Sequence, residues 1–306
     1  MSRIGLIGCG AWGRHILRDL KDCGATVHVV APSEASRRNA IAHRADSVVT
    51  RVDDLPAVDG YVIAAPTSLH AEIIERLLPS GRPIFTEKPL TSDPDSARRI
   101  AERGGDRVFV MQKWRYHPGI ERMRSEIAAG EVGEVLAIQI QRWGWGNPHA
   151  DVSAVWILMP HDLSIVMHWL GDIPPLRSVH PTVPGQIDLG FIVLLGGSGR
   201  PLITIDTSIT APEHRRTFTI IGSKASLELR DSYDSAIRLR RGKPAESAAT
   251  AEAIAISQDM PLLLEIQAFL RHLEGGPPPM SSAREGQLIV ERTAEIEAAA
   301  RAAQRV

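Results

Sequence analysis

The sequence predicts a two-domain α/β protein: a doubly wound parallel sheet, then an α+β domain built on a large, mostly antiparallel open sheet. Three observations lead there. Short apolar runs alternate with amphipathic helical patterns over the first third of the chain, the pattern of a parallel sheet with right-handed crossovers. Period-two runs separated by turns such as Gly196-Gly197 and Gly222-Ser223 fill residues 187–239. The length of 306 residues exceeds what one ordinary core organises.

Each element follows from its local pattern. Arg3–Ile7 reads as a strand, 11–23 as a helix, 25–31 as a strand and 36–44 as a helix. Ser47–Val49 is a short strand, 61–65 another, and 69–78 a helix. Strands at 84–86 and Val108–Met111 flank a helix at 93–102. Beyond them, 119–129 reads as a helix, 135–143 as a long alternating strand, and 161–170 as a helix stopped by Gly171 and Pro174-Pro175. Period-two runs at 188–195, 202–209, 217–221, 226–229 and 236–239 supply five or more strands, and 245–257 reads as a loop or weak edge. Helices at 262–273 and 284–301 close the chain across the 275–279 punctuation. The expected domains are 1–117 and 118–306.

Composition excludes several function classes. Apolar residues make up 43% and charged residues 23%, which is globular and not disordered. A net charge of −1 with interspersed signs lacks the basic footprint of a nucleic-acid or anionic-membrane binder. No apolar run approaches the length that spans a bilayer, so a soluble protein is expected. The first strand begins by Arg3, so no targeting leader is expected and a cytoplasmic location is. Cys9 and Cys23 make no disulfide framework, and no bridge between them is expected.

Gly8-Cys9-Gly10-Ala11-Trp12-Gly13 is a G-x-G-x-x-G between a strand and a helix. In that context the first glycine permits a tight turn, the second lets backbone approach a pyrophosphate, and the third lets the helix pack closely. A dinucleotide site is expected. NAD sites usually place an acid at the end of the second strand, to accept from the ribose hydroxyls. This chain has Ala31-Pro32-Ser33 there, with Glu34 displaced onto the helix and Arg37 and Arg38 one turn later. Ser33 with one arginine suits a 2′-phosphate, which favours NADP; Glu34 serving the ribose, with both arginines solvated, is the NAD alternative.

Ala64-Ala65-Pro66-Thr67 ends a later strand with His70 following, and Thr86-Glu87-Lys88-Pro89 ends another. With the glycine loop, this spacing resembles the glucose–fructose oxidoreductase/inositol dehydrogenase family (Gfo/Idh/MocA). The resemblance extends over nearly the whole chain. The stretch from Met111 to Pro118 resembles the family's crossover into its second domain, Pro160-His161-Asp162-Leu163-Ser164-Ile165 its active-site helix, and Ile220-Ile221-Gly222-Ser223-Lys224-Ala225 a sheet segment. The resemblance implies hydride exchange between a nicotinamide and a carbinol carbon of a sugar, cyclitol or nucleotide-activated sugar. Such chemistry needs a proton partner for the hydroxyl and a positive group near its oxygen. By resemblance Lys88 is the positive group and His161 the proton partner, and the cofactor side includes Ala65, Pro66, Thr67, His70 and Glu87. A homodimer or homotetramer through the C-terminal sheet is implied, and no metal is: His161 and His168 lie two helical turns apart with no acidic third ligand at helical spacing.

One departure stands out. The family places an aspartate four residues before the histidine, where this chain has Ile157. Either His161 acts alone, or Tyr116 or Asp151 supplies the missing group, or the site only binds. On the substrate side Trp114, Tyr116, Trp143, Trp145 and Trp156 offer aromatic faces for sugar C–H faces, and Arg115, Arg142, Asn147 and His149 offer polar contacts. Three readings stay open: an NADP-favouring dehydrogenase or ketoreductase, a catalytically silent NADP-binding sensor or regulatory protein, and a lyase or glycosidase that recycles its nicotinamide.

Overall fold

A computed structural model describes residues 1–146, 153–242 and 251–303. The chain begins β1 (Arg3–Ile7), α1 (Gly13–Asp22), β2 (Thr26–Val30), α2 (Glu34–Ala42), β3 (Ser47–Val49), β4 (Gly60–Ile63), α3 (His70–Leu77), β5 (Ile84–Glu87), α4 (Pro94–Gly104) and β6 (Val108–Met111). It continues α5 (Pro118–Ala128), β7 (Val135–Trp145), α6 (Ala154–Leu170), β8 (Leu176–Pro181), β9 (Gly190–Gly197), β10 (Arg200–Ser208) and β11 (Thr210–Gly222). Then come β12 (Ala225–Leu229), β13 (Ala236–Arg241), β14 (Glu252–Ala255), α7 (Pro261–Leu273) and α8 (Ala283–Ala303).

The first sheet is parallel throughout, in the order β3-β2-β1-β4-β5-β6. That is the doubly wound order whose ligand crevice opens between β1 and β4, outside the carboxyl ends of the strands. Helix starts are locally encoded. Ser33 Oγ accepts from the Ser36 amide at the head of α2, and an Asp93 carboxylate oxygen accepts from the Ser96 amide 2.7 Å away, with Pro94 opening α4. The core gathers Ile4, Leu6, Val27, Val29, Val62 and Phe85 from the strands with Ile16, Leu17 and Leu20 from α1.

The compact units do not follow a single cut along the chain. One comprises residues 1–113 and 260–290, the other 114–259 and 291–306. The sequence reading placed every residue after 117 in the second domain, but α7 returns to the first. Its apolar stripe Leu262, Ile266 and Phe269 completes the first core, and Phe269 stacks on Phe85 with ring centroids 4.9 Å apart. Each such buried side chain contributes about 1.5–3 kcal/mol of transfer free energy, and α7 reads the same in sequence whichever core it serves.

The second unit holds an eight-stranded sheet in the order β14-β13-β12-β11-β7-β10-β9-β8, antiparallel except where β10 lies parallel to β7. Alternation puts Ile138 and Ile140 of β7, Ile203 and Ile205 of β10, and Phe218 and Ile220 of β11 on a buried face, leaving Gln139, Thr204 and Thr219 on the other. Of the two edge strands, β8 escapes the sequence pattern and β14 stays open in it between loop and weak edge. β8 is polar and ends in proline, and β14 falls in the stretch read as loop or weak edge; edge strands are paired on one side only and need less apolar alternation.

Helix α6 is the other difference. The sequence reading starts it at His161, yet it begins at Ala154 and carries Pro160 inside. The apolar run from Ala154 to Met159 is buried, and that burial outweighs the loss of one backbone donor at the proline. Among the described residues no helix is long and apolar enough to cross a membrane.

Candidate active site

The predicted cofactor residues gather at the carboxyl ends of β1, β2, β4 and β5. Gly8 leaves β1 with φ +96°, and a Cβ there would sit 2.6 Å from the Ala64 carbonyl oxygen, so the glycine loop rests directly on the end of β4. A Cβ on Gly13 would sit 2.5 Å from the Gly8 carbonyl oxygen, whereas one on Gly10 meets nothing within 4 Å. The outer glycines close the loop, and Gly10 leaves backbone open to an approaching group. No side chain caps α1, whose N-terminus follows this loop. These residues fit the pyrophosphate of a dinucleotide. Cys9 points into the core, where burial pushes its thiol up to about 11, and both cysteines are free.

The E-K-P turn is tied to the glycine loop. Trp12 Nε1 donates to Glu87 Oε1, while Glu87 Oε2 accepts the Lys88 amide at 3.0 Å. The Lys113 ammonium lies 4.6 Å from the Trp12 ring centroid, a cation–π contact. The Lys88–Pro89 peptide bond is cis. His70 is buried, with Nδ1 2.9 Å from the Pro89 carbonyl oxygen and Nε2 3.0 Å from that of Ala65. The ring thus sits between the Ala65-Pro66-Thr67 loop and the E-K-P turn, and in its neutral form its single N–H donates to one of the two carbonyls. On α7, Glu265 is fully buried near Glu87 and Lys113. Burial first, and Glu87 second, hold its carboxyl well above the ordinary range, with Lys113 opposing.

At the end of β2, Ser33 caps α2 and Arg37 Nη1 donates to the Pro32 carbonyl at 2.7 Å. Arg38 pairs with Glu34 one turn earlier in an exposed ion pair that water weakens. The acid and one of the two arginines thus meet each other, leaving Ser33 and Arg37 beside the strand end.

The second unit carries His161 on α6. Ile157 stands four residues earlier, so the two share one face of the helix. The next residue, Asp162, is completely buried. Its carboxylate accepts Arg142 Nε at 3.0 Å on both oxygens and Arg142 Nη2 at 2.5 Å, and Arg142 itself is 3% exposed. This bidentate pair fixes α6 to the outer end of β7. A cavity of about 480 Å³ opens beside it, walled by Ile157, Leu158, Trp145 and Ile209, with Arg142, His214 and Arg216 as its ionisable lining. Burial first, and the neighbouring Arg142 second, bring the Arg216 guanidinium down to about 10, with Asp162 opposing.

The remaining predicted substrate residues are mostly engaged inside this unit. Arg115 is 1% exposed with Nε donating to Ser164 Oγ at 2.8 Å. Trp114 stacks on His117 and packs against Phe218, with the Arg142 guanidinium 4.8 Å from its ring centroid. Trp156 is buried and donates to Glu297 Oε2 at 2.8 Å. Tyr116 is buried as well. Trp143 alternates with Arg142 along β7 and so faces the other side of the sheet, under the Arg215 guanidinium. Asn147, His149 and Asp151 lie outside the described residues. Sequence reasoning missed the Trp12–Glu87 tie, the Arg142–Asp162 pair and the inward position of Arg216. Only the last had a signal: Arg216 shares parity with Phe218 and Ile220 of the same strand.

Residues 2–110 match the model of an oxidoreductase family with an NAD-binding Rossmann fold, and residues 120–228 match the GFO/IDH/MocA C-terminal domain. Inositol 2-dehydrogenase of Corynebacterium glutamicum (strain R) is 33% identical over 148 residues, 45% of this chain and 44% of that protein, so the match spans under half of that relative. Inositol 2-dehydrogenase of Rhizobium meliloti (strain 1021) is 24% identical over 304 residues, 93% of this chain and 92% of that protein. The solved UDP-N-acetylglucosamine 3-dehydrogenase GnnA from Acidithiobacillus ferrooxidans gives a TM-score of 0.86 at 21% identity, covering 100% of this chain and 99% of that one. Levoglucosan dehydrogenase in complex with NADH and levoglucosan gives 0.86 at 15% identity, covering 98% and 97%. At such identities the structural likeness speaks for the fold alone. With both halves matched, and with the glycine loop, the E-K-P turn and the α6 motif all present, the chain belongs to the Gfo/Idh/MocA oxidoreductase family.

Proposed function

We propose that this protein is an NADP-preferring oxidoreductase acting on a carbinol carbon of a sugar, cyclitol or sugar derivative. The observation that carries this is the joining of the glycine loop to the E-K-P turn through Trp12 and Glu87 at the switch point of the parallel sheet. When bound, the nicotinamide supplies the hydride acceptor or donor. The open backbone at Gly10 holds the pyrophosphate, and Ser33 with Arg37 holds the adenosine 2′-phosphate. Lys88 stabilises the alkoxide that develops on the substrate oxygen, and His161 exchanges the hydroxyl proton. Exposed Ile192 and Leu202, on the sheet face opposite the buried residues of β9 and β10, support pairing of that face in a homodimer or homotetramer.

Parallel titrations with NADPH and NADH, followed by energy transfer from tryptophan, test the cofactor. NADPH is expected to bind at lower concentration, and preference for NADH would mean that Glu34 serves the ribose. A screen of sugars and cyclitols then tests the chemistry, with Lys88→Ala expected to lose about 10²–10³-fold in turnover while still binding cofactor. Ile157 on the cavity wall favours a second reading, a silent NADP-binding sensor, which hydride transfer abolished by Lys88→Ala would exclude. Product formed with no net change in nicotinamide absorbance would instead pick out a lyase or glycosidase that recycles its cofactor.

A further inference from the structure

The described lining of the cavity in the second unit is cationic. Among the described residues its ionisable lining is Arg142, His214 and Arg216, with no carboxylate among them. Arg142 is matched by Asp162 in a buried pair. Arg216 has no ion-pair partner among the described residues, where its hydrogen bonds go to two backbone carbonyls, those of Trp143 at 2.6 Å and Arg215 at 2.9 Å. A half-buried guanidinium held by carbonyl dipoles retains its full charge and has donors left for a planar acceptor. Burial first, and Arg142 second, lower its proton affinity, while Asp162, Asp231 and Tyr233 oppose them at longer range. Ile157 adds to this: where a carboxylate would have repelled an anion, the wall is apolar and neutral.

We propose that the substrate carries an anionic group, a carboxylate or a phosphate ester on the sugar or cyclitol, and that Arg216 receives it inside this cavity. The inference rests on reading the cavity as the substrate pocket of the proposed oxidoreductase, and its size, about 480 Å³, suits one substituted sugar ring. Arg216 is then a specificity residue and Ile157 a permissive one.

The test is calorimetric titration of the NADPH-saturated protein with D-glucuronate, D-glucose 6-phosphate and neutral D-glucose. At least one anionic sugar is expected to bind about tenfold or more tightly than glucose, as a charge-assisted hydrogen bond implies; which of the two does so separates carboxylate from phosphate. Arg216→Gln should abolish that preference and Arg216→Lys should keep part of it. Arg215→Gln, which removes the neighbouring charge on the opposite sheet face, should leave it intact, with near-ultraviolet circular dichroism confirming that each variant is folded. Equal binding of all three sugars, or a preference that survives Arg216→Gln, overturns the proposal. Nicotinamide absorbance in parallel samples saturated with NADP+, the hydride acceptor that oxidation of a carbinol requires, separates the two readings: Arg216-dependent anion binding without hydride transfer overturns the oxidoreductase and keeps the anion site, and turnover of neutral sugars with no preference for the anionic ones does the reverse.

Discussion

Replacing Arg142 by glutamine should destabilise the second unit out of proportion to the loss of one side chain. Asp162 is fully buried and makes its charged contacts with Arg142, so the substitution leaves a carboxylate in low dielectric without its bidentate partner. Breaking a buried pair in this way costs about 3–5 kcal/mol, a large share of the roughly 5–15 kcal/mol that holds a domain folded. For a unit of this size that corresponds to a fall in melting temperature of about 6–20 °C. The double replacement Arg142→Met with Asp162→Leu removes both charges and should recover most of the loss, because desolvating two ions offsets much of their attraction. Urea titration followed by tryptophan fluorescence reads this unit selectively, since every tryptophan except Trp12 belongs to it. A loss under about 1 kcal/mol for Arg142→Gln, or a double variant less stable than the single, would refute the account of the pair as a costly but mutually required contact.

Three further outcomes follow from the same structure. Ile157→Asp restores a proton acceptor one turn from His161 and should raise turnover of neutral family substrates about 10²-fold or more; a folded, cofactor-binding variant that is no faster would show the site geometry to be misread. Glu121 is partly buried, which by itself raises its carboxyl, but hydrogen bonds from His168 and Arg124 draw it from 4.5 down to about 2. Its stabilisation is therefore full above about pH 4.5 and lost as pH falls toward 2, so the advantage of wild type over Glu121→Gln in denaturation midpoint should be present at pH 6 and shrink across that window. Glu265 has the opposite sign: burial holds its folded carboxyl well above the ordinary range, so stability declines as pH rises above 4.5 and the unfolded group ionises first. Glu265→Gln should gain on wild type between pH 4 and pH 8 in thermal melts, and a constant difference would mean the buried group is ionised.

Much of this protein was legible in its sequence, because local periodicity and turn chemistry carry it. The strand–helix alternation, the glycine loop and the E-K-P turn are contiguous stretches whose physics is short-range, and β1, β3 and β6 stand where the pattern puts them. Glycine at positions 8 and 13 is dictated by carbonyls that a Cβ would strike, so the loop's own spacing announces its packing. What only the tertiary structure decided involves partners far apart in the chain. Trp12 meets Glu87 75 residues away, and Arg142 meets Asp162 across a helix and a strand. Nothing local marks α7 as a return to the first core, nor the stretch before His161 as the first turns of α6, since burial against distant elements outweighs the local signal. Trp143 and Arg142 are neighbours in sequence but face opposite sides of one sheet, and the same pleat turns Arg216 inward and Arg215 out. Residue type announced the chemistry of these groups. Which of them line a cavity and which only hold the fold together depended on the strand parity and on the distant carboxylates that the fold brings to them.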